Sequence, residues 1–288
     1  MSRLLYKSML QFLISILLYL PVEGQAQLKV MSYNIRLDVE SDGVNRWDAR
    51  KEKVAALMNY YEADFIGGQE VQHHQLQYLL SQLKSYNYTG VGRDDGKEAG
   101  EYSCIFYNKE RFELIQQATF WLSPTPDSVS MGWDAACRRV CTYGLFRSKK
   151  TKQFLWVFNT HFDHMGVTAR IESARLITAK ITALTKEKNY PVVLTGDFNS
   201  KPDEAPAMYM KEHFTNARSV STTAPYGPAD TWNGFQFAKK PIGCIDYIFI
   251  SGNSKWAVSK FATITDSYDI KYPSDHFPIL ATLQMIKQ

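Results

Sequence analysis

Short apolar runs separated by polar turns recur along the whole chain, and their two periods predict alternating strands and helices. LKVMSYNI at 28–35 reads as a strand. RWDARKEKVAALMNYY at 46–61 reads as a helix, because Val54, Leu57, Met58 and Tyr61 recur at helical spacing. DFIGGQE at 64–70 is a short buried strand that ends in Glu70, and Leu76, Leu79, Leu80 and Leu83 mark a second helix. YSCIFY at 102–107 is again a strand. TYGLF and FLWVFNTH flank RSKKTKQ, which predicts a hairpin with a charged tip. Residues 168–187 predict a helix with Ile171, Ala174, Ile177, Ile181 and Leu184 turned inward. PVVLTGDF follows as a buried strand, and CIDYIFI and FPILATLQM supply two more. The glycine- and charge-rich stretch 92–101 and the proline-bearing stretch 123–128 read as loops. Helices alternate with strands early and strands dominate late, so the pattern predicts a layered α/β domain built on a mixed sheet.

Composition adds limits. The chain has 288 residues, 45% hydrophobic and 14% aromatic, enough for one large α/β domain with a substantial core. The 33 Lys and Arg against 29 Asp and Glu give a net charge of +4, which permits an anionic substrate without demanding one. No run of basic residues resembles a nucleic-acid-binding tail. At the N-terminus, Arg3 and Lys7 precede the apolar run MLQFLISILLYL, and small residues Gly24 and Ala26 follow. That run is short for a membrane span, so the expectation is a cleaved secretory signal over 1–26, a mature domain over 27–288, and a periplasmic or extracellular location with no stable membrane anchor. The four cysteines, Cys104, Cys137, Cys141 and Cys244, are too few for a disulfide scaffold and match no zinc pattern. In a strand, Cys137 and Cys141 would stand ~13 Å apart, beyond disulfide reach unless the segment turns.

The strand ends carry a shared chemistry. The first ends in Asn34, the second in Glu70, FNTHFDH places His161, and LTGDFNS ends in Asp197 and Asn199. Asp246 begins CIDYIFI, and Ser274, Asp275 and His276 precede the last strand. An acid and an amide two apart in an extended strand share a face, so Asp197 and Asn199 are expected to project together, whereas a simple strand-stopping turn is the alternative. Taken singly, each residue fits an ordinary turn or core position; converging on one sheet edge, they predict a site. Carboxylate and amide oxygens with little sulfur suit a hard cation such as Mg²⁺ or Mn²⁺. Histidines with acid neighbours suit phosphate contact and proton transfer. Together they describe metal-assisted hydrolysis of a phosphate ester.

In order, SYNI, GGQE, NTHFDH, LTGDFNS, IDYIFIS and SDHFPI resemble the motifs of the endonuclease/exonuclease/phosphatase superfamily, over about residues 28 to 283. The segments GVTARIESARLI and GEYSCIFY are similar to the secreted bacterial members and the deadenylase-like branch rather than to pancreatic deoxyribonuclease. The resemblance implies a four-layered α/β sandwich, with two facing mixed sheets and helices outside. It implies metal ligation by Glu70 with Asn34 and Asp275 nearby. Asp197 would orient or deprotonate the attacking water, and Asn199 would steady the nucleophile and the phosphoryl charge. His276, oriented by Asp246, and His161 would contact phosphate, with His161 a candidate for protonating the leaving oxygen. Arg36 stands where related abasic-site endonucleases carry an acid, which removes one metal-binding option and sets a charge near the phosphate. Glu101 and Tyr102 would lie near the pocket, and Arg139 is a candidate phosphate contact. Trp47, Arg50 and Trp232 also recur in this branch, the tryptophans fitting the core at least as well as substrate stacking. His73, His74 and His164 read as surface residues.

These residues specify reaction type better than substrate. Basic stretches at 147–152 and 238–241 leave a nucleic acid open; 123–133 is a weak membrane-docking candidate. A nucleic acid, a lipid headgroup diester and a sugar or nucleotide phosphate all remain open as substrates, acted on by an Mg²⁺-dependent hydrolase expected to be a monomer. The alternative is a member that has lost catalysis and serves as a binding module; retention of Glu70, Asp197 and His276 argues for the enzyme.

Overall fold

Alternation of apolar side chains between two buried faces builds most of the strands in this computed structural model, which describes residues 27–251 and 256–285. The strands are β1 Gln27–Asn34, β2 Phe65–Val71, β3 Tyr86–Thr89, β4 Tyr102–Asn108, β5 Phe112–Trp121, β6 Val140–Ser148, β7 Phe154–His161, β8 Val192–Asp197, β9 Phe214–Asn216, β10 Asp246–Ser251, β11 Trp256–Thr263 and β12 Ile279–Met285. The helices are α1 Trp47–Tyr61, α2 His73–Gln82, α3 Val167–Thr185 and α4 Ala205–His213. The predicted signal segment 1–26 lies outside the described residues.

The strands form two six-stranded sheets, β11-β12-β1-β2-β4-β3 and β5-β6-β7-β8-β10-β9. Read in that order, both sheets show the same succession of pairings: antiparallel twice, parallel once, antiparallel twice. In each, the single parallel pair, β1·β2 or β7·β8, is joined through a helix, α1 or α3. Three apolar clusters fill the layers. Met31, Tyr33 and Ile66 pack outward with Val54, Leu57 and Leu76 of α1 and α2. Phe158, Leu194 and Phe249 pack outward with Ala174, Ile177 and Met210 of α3 and α4. Val30, Phe65, Val157, Val193 and Ile248 fill the seam between the sheets. The result is the four-layered α/β sandwich that the resemblance implied.

Several elements differ from the sequence expectation. β3, β5, β9 and β11 went unpredicted: β5 is an edge strand whose middle is exposed, so FELIQQATF lacks a clean apolar alternation. α4 went unpredicted because Pro206 reads as a breaker, yet it falls in the first turn, where a missing N–H costs nothing. On α3, Ala174, Ile177 and Ile181 are buried as expected, whereas Ile171 and Leu184 are only half-buried. All four cysteines are free.

Along the seam, side-chain character changes in steps of two residues. β1 runs Val30, Ser32, Asn34; β2 runs Phe65, Gly67, Gln69; β7 runs Val157, Asn159, His161; β8 runs Val193, Thr195, Asp197. One end of the seam is apolar, the middle is a buried polar layer, and the other end carries the acids and imidazoles. Apart from Gln69 Oε1, which is buried without a partner, the middle layer is bonded internally. Gln69 Nε2 donates to Ser32 Oγ at 3.1 Å and to Asn159 Oδ1 at 2.7 Å, and Thr195 Oγ1 donates to the same Asn159 oxygen at 3.0 Å. Asn159 Nδ2 reaches the carbonyls of Gly68 and Cys104 at 2.9 and 2.8 Å. Gly67 is what lets the sheets approach here, since a Cβ would sit 2.0 Å from Thr195 Oγ1 and 2.5 Å from Asn159 Oδ1.

Candidate active site

The polar end of the seam opens into a cleft of about 550 Å³, a volume suited to a small ligand. Across three neighbouring strands, His161, Asp197 and Asp246 stand in one cross-strand row, because His161 pairs with Asp197 and Asp197 with Asp246. Asn34 reaches over from the other sheet: its Nδ2 donates to Glu70 Oε1 and to Asp197 Oδ2, both at 3.0 Å. The loop before β12 closes the set. Ser274 Oγ donates to the Asn34 carbonyl at 2.7 Å, and the Asp275 carbonyl accepts from the amides of Asn233 and Gly234. His276 Nδ1 then lies 2.9 Å from Asp246 Oδ2, with its Nε2 3.7 Å from Asp197 Oδ2.

Backbone irregularity aims two of these groups. Glu70 has φ 59 and sits where the β2·β4 register shifts between Gly68 and Val71, so a bulge takes it out of simple alternation. Asn199 has φ 43 and lies beyond the last residue of β8, so it does not share an extended face with Asp197 as expected. A left-handed turn takes it there: its amide donates to Asp197 Oδ1 at 2.9 Å, and its Nδ2 contacts His161 Nε2 and the Phe162 carbonyl at 3.0 Å each. The turn and the site are one structure. Arg50, buried, donates to the carbonyls of Ile35, Arg36 and Leu37 and so clamps the loop after β1. That clamp fixes the Leu37 amide, which donates to Glu70 Oε2 at 3.1 Å.

Electrostatics separate the groups. Burial, then the nearby Asp246 charge, raises Asp197 from the usual carboxylate range toward neutrality. Burial opposes charge on His276, but Asp246 and Asp197 outweigh it and hold this imidazole protonated well above the ordinary histidine range. Burial, joined by the Arg139 charge, pushes His161 well below that range, so it stands neutral. Burial also raises Asp275, with Glu70 adding to it. On Glu70 burial is outweighed by His276, Arg36 and the Asn34 amide, so it stays ionised.

The donor set fits a hard divalent cation. Glu70 and Asp275 offer carboxylate oxygen, and among these buried groups the carboxylates outnumber the cations facing them, whereas Asn34 turns its Nδ2 to Glu70 and Asp197 and its Oδ1 accepts from the Arg36 amide. Arg36 is the partial exception. It is held by Asp42 through two hydrogen bonds at 2.9 Å and stands 3.7 Å from Glu70 and 3.9 Å from Asp275. It lines the cleft, as do Arg139 and Glu101.

Other expectations change. Tyr102 does not line the cleft and borders only the small recess beside Arg139 and His161: its ring belongs to the outer cluster, and its hydroxyl is engaged by the Lys97 carbonyl and His73. Strand parity decides this, since Tyr102, Cys104 and Phe106 share the outward face of β4. Trp47 is core, stacked edge-on against Tyr78, whereas Trp232 lines the cleft. His164 is not merely a surface residue; it lines the cleft and contacts Arg139 at 3.0 Å. Arg93 and Lys201 also line it and were not singled out. Arg93 lies in the charge-rich 92–101 loop, which was itself the available signal.

The chain matches the model of the endonuclease/exonuclease/phosphatase family over residues 31–276. A solved family protein from Bacteroides thetaiotaomicron is 36% identical, with a TM-score of 0.87 over 92% of this chain and all of that one. The mannosyl-6-phosphatase Bt3783 of the same organism is 37% identical, with a TM-score of 0.84 over 89% of this chain and 99% of that one. Among curated relatives, the Ccr4 exoribonuclease subunit of Kluyveromyces lactis is 22% identical over 83% of this chain, which spans 38% of its length. The family's members are metal-dependent hydrolases of phosphoester bonds. With its fold, its strand-end residues and 246 consecutive positions from 31 to 276 aligned to the family pattern, this chain belongs to the endonuclease/exonuclease/phosphatase family.

Proposed function

We propose that the protein is an exported, Mg²⁺-dependent phosphoesterase that hydrolyses a small, sugar-sized phosphate ester by in-line attack of water. The observation that carries this is the convergence of Asn34, Glu70, Asp197, Asp246 and His276 from both sheets on one cleft. Asp197, raised toward neutrality, positions the water and takes its proton. Protonated His276, held by Asp246, contacts the phosphoryl oxygens and offsets charge as it develops there, while Asn199, its Nδ2 committed to His161 and the Phe162 carbonyl, steadies the water through its Oδ1. His161, neutral and in contact with Asn199, is assigned to positioning that amide rather than to protonating the leaving oxygen. Glu70 and Asp275 would hold the cation, with the Asn34 amide steadying Glu70, and the cation would supply charge neutralisation on the phosphoryl group.

The cleft's size and its basic lining of Arg36, Arg93, Arg139 and Lys201 support a small anionic substrate, as does the likeness to a mannosyl-6-phosphatase. The basic hairpin tip at 147–152 precedes β7, whose far end carries His161, so it lies roughly 23 Å away at the opposite end of the sandwich. The tip does not line the cleft, which favours a small substrate over the nuclease reading. Lys239 and Lys240 lie on the loop that supplies Ile242 and Gly243 to the cleft and are the remaining candidates for such a role. Export rests on the composition of residues 1–26; among the described residues, no helix is long and apolar enough to cross a membrane. The test is product release from hexose 6-phosphates, sphingomyelin, RNA and plasmid DNA, with Mg²⁺ and with chelator. Metal-dependent release from the sugar phosphates alone is expected, and turnover unaffected by chelator on every substrate contradicts the proposal. N-terminal sequencing of protein from its native host should find a chain beginning near Gln27; a start at Met1 contradicts export.

A further inference from the structure

One wall of the cleft has cationic hydrogen-bonding capacity that the protein does not use. Arg139 is 6% exposed and lines the cleft, and its Nη1 is buried with no hydrogen-bond partner in the protein. Its other nitrogens are weakly held: Nε lies 3.5 Å from Asp163 Oδ2, and Nη2 contacts His164 Nδ1 at 3.0 Å. Asp163 is itself largely committed, since its Oδ1 accepts from the amides of Met165 and Gly166 at 3.0 and 2.7 Å. Beside it, Arg93 pairs with Glu101 at 2.6 Å but leaves its buried Nε without a partner. An unpaired guanidinium N–H in a buried wall is costly unless a ligand completes it. The recess behind, bounded by Arg93, Glu101, Arg139 and His161, is closed even to a water molecule.

We infer that Arg139, supported by Arg93, recognises the extra charged oxygen of a phosphomonoester dianion and makes the enzyme a monoesterase. The inference rests on the phosphoesterase reading and deepens it. A monoester above its second pKa near 6 carries two charges and a bare third oxygen. A diester carries one charge, and at the third oxygen a second group that needs space. The wall beside His161 offers charge and no space, which favours the monoester on both counts. Arg139 therefore acts in specificity, outside the cross-strand row of His161, Asp197 and Asp246.

The test compares wild type, Arg139→Gln and Arg139→Lys on p-nitrophenyl phosphate and methyl p-nitrophenyl phosphate, with saturating Mg²⁺ at about pH 8, where the monoester is a dianion. Inorganic phosphate binding by calorimetry and the melting temperature accompany the kinetics. Loss of one charged hydrogen bond corresponds to about a 10- to 100-fold effect. Arg139→Gln is expected to lose that factor in kcat/KM on the monoester and in phosphate affinity, and less than about threefold on the diester. Arg139→Lys should recover part of the monoester rate. Equal losses on both esters, or an unchanged monoester rate in a folded variant, overturns the inference while leaving a phosphoesterase in place. If wild type cleaves neither ester yet Arg139→Gln weakens phosphate binding, the anion site stands and the hydrolase reading fails. Unchanged phosphate binding removes the site.

Discussion

The two sheets have the same order of pairings, yet they deliver different chemistry to the cleft. In the first, the parallel pair carries Asn34 and Glu70 at its end, with the Glu70 carboxylate near Asp275. In the second, the corresponding pair ends in His161 and Asp197, with Asp246 beside them and His276 reaching Asp246 from the last loop. One architecture is thus used twice, and under the proposed function one copy serves as a metal side and the other as a water side. The Asn34 amide, bonded to Glu70 and Asp197 at once, is where the two sides meet. Strand ends suit this use because the apolar far end of the seam holds the sheets rigid while the polar end is free to specialise.

The largest effect should come from disabling the water side. Asp197→Asn keeps shape and the turn but loses the proton acceptor, so kcat should fall about 10²- to 10⁴-fold. Asn199→Ala should cost about 10²-fold, as misplacement of the attacking water does. Neither should lower the melting temperature much, because neither side chain packs the core. A turn role alone predicts normal turnover for Asp197→Asn, so kcat measured on that variant decides.

The seam itself is the next target. Gly67→Ala drives a methyl into Thr195 and Asn159, and overpacking of this kind costs about 1–3 kcal/mol. For a domain of this size that corresponds to a fall of roughly 2–4 °C in melting temperature per kcal/mol. Activity should fall as well, since the two halves of the site would shift apart. A calorimetric scan that leaves Gly67→Ala at the wild-type temperature would show that the sheets are not held in register here.

A smaller, pH-dependent effect is expected at Asp163, behind the cleft wall. Burial opposes its ionisation, but the amides of Gly166, Ala136 and Met165 and the charge of Arg139 outweigh it and depress its pKa. A depressed folded-state pKa stabilises the protein above the unfolded value of about 3.9, and that contribution is lost as pH falls through the folded value. Asp163→Asn should therefore be less stable by about 1–2 kcal/mol at neutral pH, with the deficit closing at acidic pH. Denaturation at pH 7 and near pH 3 measures it, and a deficit that does not change with pH contradicts the assignment.

Legibility in the sequence followed the strands. Asn34, Glu70, His161, Asp197 and Asp246 were readable because a strand end is a fixed place in a sheet, and five polar strand ends gathered at one edge stand out from ordinary turns. The seam's period-two gradient is equally a local pattern. What was not readable lies where chain direction or topology intervenes. Tyr102 was misplaced because the outward parity of β4 depends on which face meets the helices. Asn199 reaches the site through a left-handed turn rather than along an extended face. His164, Arg93 and Lys201 come from loops whose position over the cleft is set by the packing of both sheets, to which local periodicity is blind. The basic tip at 147–152 looked functional from charge alone and lies at the wrong end.

The division into a metal side and a water side is tested most directly by Mg²⁺ titration calorimetry on Glu70→Gln and Asp197→Asn. The account predicts that Glu70→Gln binds Mg²⁺ at least about tenfold more weakly, as loss of a charged ligand requires, with activity partly restored at high Mg²⁺. It predicts that Asp197→Asn binds Mg²⁺ within a few-fold of wild type while turnover stays low at every metal concentration. Wild-type Mg²⁺ affinity in Glu70→Gln, or a restored rate in Asp197→Asn at high Mg²⁺, would contradict it.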